Sequence, residues 1–112
     1  MSNAPTAFLL TLLAGAPAAQ AQTADTTMGR RLAASLCVEC HRIDADTPPK
    51  SEASQAPSFV DVARMPSTNE LAIKVFLQTS HANMPNLILT SDEMDSLAAY
   101  IVGLARREGS EK

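Results

Sequence analysis

Cys37-Val38-Glu39-Cys40-His41 is the stretch of this chain whose residue types and spacing dictate a chemistry. Two thiols three positions apart point from one face of a helical turn. From there both reach the vinyl groups on neighbouring edges of a single porphyrin and form thioethers, and the histidine that follows supplies one axial nitrogen to the iron. Cys-x-x-Cys-His is thus the attachment sequence for a covalently held haem. A porphyrin fixed at two edges and from below can neither leave nor turn over.

The chain has two Cys and two His in 112 residues. Chance placement gives this five-residue pattern about 3 times in 10,000, so composition does not account for it. Two other uses of Cys-x-x-Cys fit less well. A thioredoxin-type redox pair expects strands alternating with helices, and the sequence has no strand-like run. A structural zinc site needs four ligands, and beyond Cys37, Cys40 and His41 the sequence offers only His81 of the usual nitrogen and sulfur donors.

Length and composition set the frame. A chain of 112 residues makes one domain with a modest core. Aromatic residues are 4% of it, with no Trp. A large flat cofactor at the centre of the core would supply the apolar bulk that such side chains usually provide. The net charge of −3 comes from mixed charges, which argues against nucleic acid as a partner.

Residues 1–21 carry no charged side chain. They contain the apolar run Ala7-Phe8-Leu9-Leu10-Thr11-Leu12-Leu13-Ala14 and end in Ala19-Gln20-Ala21, an A-x-A cleavage sequence. This reads as a secretory signal peptide over 1–21, with the mature domain over 22–112 beginning at Gln22. A retained membrane anchor is the other reading. The run is short of the roughly 20 apolar residues a bilayer requires, and Pro17 interrupts its continuation.

The mature region reads as helices joined by loops. Thr26 or Thr27 is expected to cap a first helix that runs to about residue 40 and carries Leu32, Leu36, Cys37 and Cys40 on one side. Residues 43–56 are polar, broken by Pro48 and Pro49, and aperiodic; they read as a mobile loop with little apolar surface to offset its ordering entropy. A short helix over 57–65 should turn Phe59, Val62 and Ala63 inward and stop at Pro66. Ser67-x-x-Glu70 reads as a capping box opening a third helix to about Gln78, so apolar all round that it should be wedged between other elements. Thr90-x-x-Glu93 is a second capping box. It opens the last helix, whose Met94, Leu97, Ile101 and Leu104 share one face and whose charges suit the macrodipole at both ends. Residues 108–112 are expected to fray.

On these residues the chain resembles the class I monohaem cytochrome c family, specifically the bacterial periplasmic c-type cytochromes, over about residues 28–107. The resemblance implies an all-α small cytochrome c fold, with three to four helices wrapped around one covalently bound haem c. In that family a glycine eight residues before the first Cys lets the last helix pack close, and Gly29 stands in that place. Leu97 and Tyr100 match the leucine and aromatic that the last helix brings to the crossing. Ala33 occupies the place of the family's aromatic partner of the glycine. Pro57 looks like the proline whose carbonyl accepts the axial histidine's ring proton. The family takes its sixth iron ligand from a methionine in the loop before the last helix, and Met84-Pro85 sits there.

Of the other methionines, Met1 leaves with the signal, Met28 precedes the first helix and Met94 fills the inward face of the last one. Met65, also followed by proline, is the rival thioether, but another helix intervenes before the last. His81 would give bis-histidine iron and a lower potential; a single His beside such a loop is more simply a bystander. The candidate cofactor-binding residues are therefore Cys37, Cys40, His41, Met84 and Pro57, with His41 and Met84 as iron ligands.

A thioether opposite a histidine favours ferrous iron and fills both axial positions. The expected function is one-electron transfer by a soluble periplasmic protein, free or as the cytochrome partner of a periplasmic oxidoreductase. The chain shows no separate catalytic constellation and is read as a carrier, not an enzyme. Export agrees with the resemblance, which implies haem attachment outside the cytoplasm. The expected partners are a redox donor and acceptor, with a monomeric carrier and no membrane anchor after cleavage. Two alternatives stand beside this reading: a haem-based sensor with a displaceable methionine, and a thiol-disulfide oxidoreductase using Cys37 and Cys40 without haem.

Overall fold

The computed structural model describes residues 24–79 and 83–110, together with Met1 and Gly15. The signal peptide expected over 1–21 therefore lies almost entirely outside the described residues. Among the described residues every regular element is helical: α1 (Thr26–Leu32), a π-helical turn (Ala33–Cys37), α2 (Phe59–Arg64), α3 (Glu70–Gln78) and α4 (Ser91–Ser110). This is the small all-α fold expected.

α1 begins one residue earlier than the sequence suggests. Asp25, in extended conformation, is its cap: the carboxylate accepts from Thr27 N at 2.9 Å and Met28 N at 3.2 Å. A charged acceptor serving two orphan N–H groups at the positive helix end leaves Thr26 and Thr27 free to enter the helix. The first helix also ends earlier than expected. At Ala33 it widens into the π turn, closed by Val38 N donating to Ala33 O at 3.1 Å. At that junction the Ser35 hydroxyl donates back to Leu32 O at 3.1 Å, an internal bond that loosens a helical ladder.

α2 is capped by Ser58, whose Oγ accepts from Asp61 N and donates to Asp61 Oδ2. It ends at Met65, held extended by the following Pro66. The cap of α3 is Asn69, which accepts from Ala72 N at 2.9 Å, and not Ser67. Thr68 is tied back to α2, N to Met65 O and Oγ1 to Val62 O, so the helix cannot start before Asn69. Nor is α3 wedged on all sides. Ile73 is its buried residue, while Leu71, Val75 and Phe76 are 68%, 50% and 57% exposed. One side meets α4, with Leu77 partly buried and Lys74 paired to Asp95; the remaining apolar surface faces outward.

α4 organises the core. Its capping box forms as expected, Thr90 N donating to Glu93 Oε2 and Glu93 N to Thr90 Oγ1. Leu97, Ile101 and Leu104 are buried, as the periodicity requires, and the helix packs against α1, α2 and α3. Residues 108–110 of the segment expected to fray are helical. The helix continues to Ser110, and Arg107 folds back to donate to Tyr100 O and to lie over the Tyr100 ring.

The α1–α4 crossing is the tightest point of the fold. A Cβ built on Gly29 would collide with the Ser96 carbonyl oxygen and stand 2.7 Å from Tyr100 Cβ. Ser96 is itself buried and receives the Asp25 N–H on its hydroxyl at 3.3 Å. Tyr100 reaches past the crossing to donate its hydroxyl to Ile43 O at 2.9 Å. Burial and the nearby Asp44 charge raise the Tyr100 pKa, so this donor stays protonated.

Two predictions follow from the crossing and its flank. Gly29→Ala should destabilise the fold by about 1–3 kcal/mol, because main chain cannot yield as a side-chain tip can; thermal unfolding of the holoprotein checks it. The second concerns Asp44. Burial opposes its ionisation, but hydrogen bonds from Thr47 and Asp46 and the Arg30 charge outweigh burial, and its pKa is lowered. Its contribution is present above the unfolded value of about 3.9 and is lost as pH falls through the lower folded value. Asp44→Asn should lower Tm at neutral pH, and the gap to wild type should close as pH falls below about 4.

Candidate functional site

The π turn delivers Cys37 into the core at 5% exposure, and the chain then turns sharply. Cys40 N and His41 N both donate to Cys37 O, at 3.1 and 2.8 Å. This puts Cys40 at the surface and starts His41 back along the protein. Burial pushes the Cys37 thiol up to about 11. A thiol-disulfide enzyme needs the reverse, an accessible attacking sulfur with a lowered pKa. Among the described residues, no three His, Cys, Asp or Glu side chains group to hold a metal ion, so a zinc site gains no support from this geometry.

The segment expected to be a mobile loop is tied down. The turn after Cys37 presents carbonyls that need donors, and here residues 50–54 supply them. Lys50 N bonds Val38 O at 2.8 Å, Ser51 N bonds Glu39 O at 3.0 Å, and Ser54 Oγ bonds Cys40 O at 2.6 Å. At the front of the segment Ile43 is fully buried and accepts the Tyr100 hydroxyl. One buried apolar side chain and a set of hydrogen bonds hold the segment despite its polar composition.

His41 is fixed from two sides. Its Nδ1 donates to Pro57 O at 2.7 Å, since a carbonyl can only accept. The Phe59 ring lies 5.0 Å away, tilted by 40°. Phe59 N in turn donates to Arg42 O at 2.9 Å, so the segment bearing Pro57 is pinned beside the histidine main chain. A histidine that donates through Nδ1 keeps the Nε2 lone pair for a metal. The donor set fits a haem: a fixed imidazole nitrogen and, on the preceding turn, two cysteines.

Met84 is partly buried in the non-helical segment 84–90 that leads into α4. Met65 is 53% exposed at the end of α2. His81 lies outside the described residues. Phe59 against His41, and the donors Lys50, Ser51 and Ser54, carry no sequence signal that marks them as parts of the site.

A family model described as cytochrome c matches residues 26–105. The chain belongs to the cytochrome c family. It is accordingly a haem-binding electron-transfer protein whose cofactor is haem c, held covalently. Redox partners are implied by that membership, and among the described residues no helix is long and apolar enough to cross a membrane. Comparison with curated proteins and with solved structures returned no significant match.

Covalent attachment can be tested at the two sulfurs. Denatured holoprotein extracted with acidic organic solvent should keep its colour on the polypeptide. Cys37→Ser should leave a single thioether and the double change to Ser at Cys37 and Cys40 none, read by intact mass after haem loading.

Proposed function

We propose that this chain is an exported, periplasmic one-electron carrier in which Cys37 and Cys40 form the thioethers, His41 and Met84 are the axial ligands and Pro57 orients His41. The observation that carries the reading is the 2.7 Å bond from His41 Nδ1 to Pro57 O, because it sets the tautomer that leaves Nε2 for iron. Bound haem supplies the metal centre that takes up and gives back the electron. The protein's own work is to keep that centre unchanged as it does so. Phe59 and the Pro57 carbonyl oppose rotation of the imidazole, and the bonded turn at 38–41 holds the main chain of both cysteines.

Met84 is favoured as the sixth ligand by its place in segment 84–90, directly ahead of α4, and by Pro85, which restricts Met84 to extended backbone. Export is favoured by the Ala19-Gln20-Ala21 cleavage sequence behind an uncharged apolar run. Whether the carrier diffuses freely or serves one oxidoreductase is a matter of its partners, which bind such proteins through small interfaces.

Removing the Met84 sulfur would open an iron position and withdraw the group that favours the ferrous state. Met84→Ala should therefore lose the sulfur-to-ferric-iron absorption at the red edge of the spectrum, lower the potential, and bind carbon monoxide when reduced. Met65→Ala and His81→Ala should keep the band. Ready carbon monoxide binding by the unaltered protein would favour a sensor instead, and loss of the band in Met65→Ala alone would move the ligand to Met65.

A further inference from the structure

We infer that Ser54 is a positioning residue for the axial histidine, acting through main chain on the bond between His41 and Pro57; this rests on the proposed role of His41. Ser54 stands fourteen residues after Cys40 and touches neither His41 nor Pro57 by any bond of its own. Its hydroxyl nevertheless joins their two supports. Oγ donates to Cys40 O at 2.6 Å, the carbonyl directly before His41, and accepts from Ala56 N at 3.2 Å, the amide directly before Pro57.

The result is a closed ring of bonds. It runs from His41 Nδ1 to Pro57 O, along the chain to Ala56 N, across Ser54 Oγ to Cys40 O, and along the chain back to His41. On the other flank Phe59 N holds Arg42 O at 2.9 Å. The histidine main chain is thus bracketed, by Ser54 before it and by Phe59 after it, and both brackets belong to the segment that carries the Pro57 carbonyl. Lys50 N and Ser51 N continue the same strap onto Val38 O and Glu39 O. Those two are main-chain bonds and survive side-chain substitution. Ser54 is the side-chain member of the strap, and so the one a substitution can remove.

The consequence is chemical as well as mechanical. The partner of a ligating histidine's second nitrogen sets ring orientation and ligand basicity. A short, held Nδ1–H···O bond makes the imidazole a better donor and favours the ferric state. With the Ser54 hydroxyl gone, Cys40 O and Ala56 N each lose a partner and the two supports of the bond can drift apart. The Nδ1 proton then exchanges faster and the potential rises.

The test compares holoprotein carrying Ser54→Ala with Ser54→Thr, which restores a hydroxyl. Three quantities are read: solvent exchange of the His41 Nδ1 proton by NMR, the reduction potential, and Tm. Ser54→Ala should speed the proton exchange at least tenfold and raise the potential, and Ser54→Thr should return both toward wild type. A lower Tm with unchanged exchange and potential overturns the inference and leaves Ser54 a stabilising loop residue. Unchanged values of all three overturn it as well. Failure of the underlying reading looks different: the unaltered holoprotein would then show His41 ring protons without the shifts of an iron-bound imidazole.

Discussion

Two helices can approach only as closely as their bulkiest contact allows, and in this chain the absence of a side chain at Gly29 sets that distance. The Ser96 carbonyl and Tyr100 Cβ occupy the space a larger residue would need. Because α1 lies that close, the π turn that continues it carries Ala33 and Cys37 into the core, at 0% and 5% exposure. Because Tyr100 passes the crossing, its hydroxyl reaches Ile43 and anchors the chain just beyond the attachment motif. The position of both ends of that motif thus descends from one contact.

From the crossing outward the construction is main-chain hydrogen bonding. The turn after Cys37 exposes three successive carbonyls, and residues 50–54 meet each of them. The segment that follows presents the Pro57 carbonyl to His41 and then opens α2, whose first residue, Phe59, both packs on the imidazole and bonds Arg42 O. A single run of chain therefore braces the attachment turn, orients the histidine and starts the next helix. A carrier needs its metal centre to keep nearly one geometry in two charge states, and this bracing opposes ring rotation and turn opening.

The parts of this arrangement that sequence reveals are those written in residue types. Cys37, Cys40 and His41 announce their chemistry by spacing, and α4 announces itself by Leu97, Ile101 and Leu104 and by the Thr90–Glu93 box. Competing caps were harder. Asp25 outbids Thr26 and Thr27 because a carboxylate serves two N–H groups, and Asn69 displaces Ser67 because Thr68 is held by α2, a tertiary fact with no local signature. The π turn is a shift of hydrogen bonding that many sequences could make. The strap was hidden for the same reason: Lys50 N, Ser51 N and the carbonyls they meet are the same atoms in every residue type. Only Ile43, the one large apolar side chain in a polar run, marks in the sequence where the segment is pinned. α3 shows the opposite case: its apolar pattern predicts cover on all sides, yet Leu71, Val75 and Phe76 face outward and Ile73 is its buried residue.

In the proposed ligation, a histidine fixed by Pro57 and a methionine supplied by segment 84–90 hold the iron between them. The most direct measurement is an NMR spectrum of the reduced holoprotein with its methionine methyl groups isotopically labelled. A thioether bound over the porphyrin face lies in the ring current, so one methyl signal, assigned to Met84, should appear far upfield of the rest. All methionine methyl signals at ordinary positions, with a second imidazole shifted in their place, would exclude Met84 as the ligand.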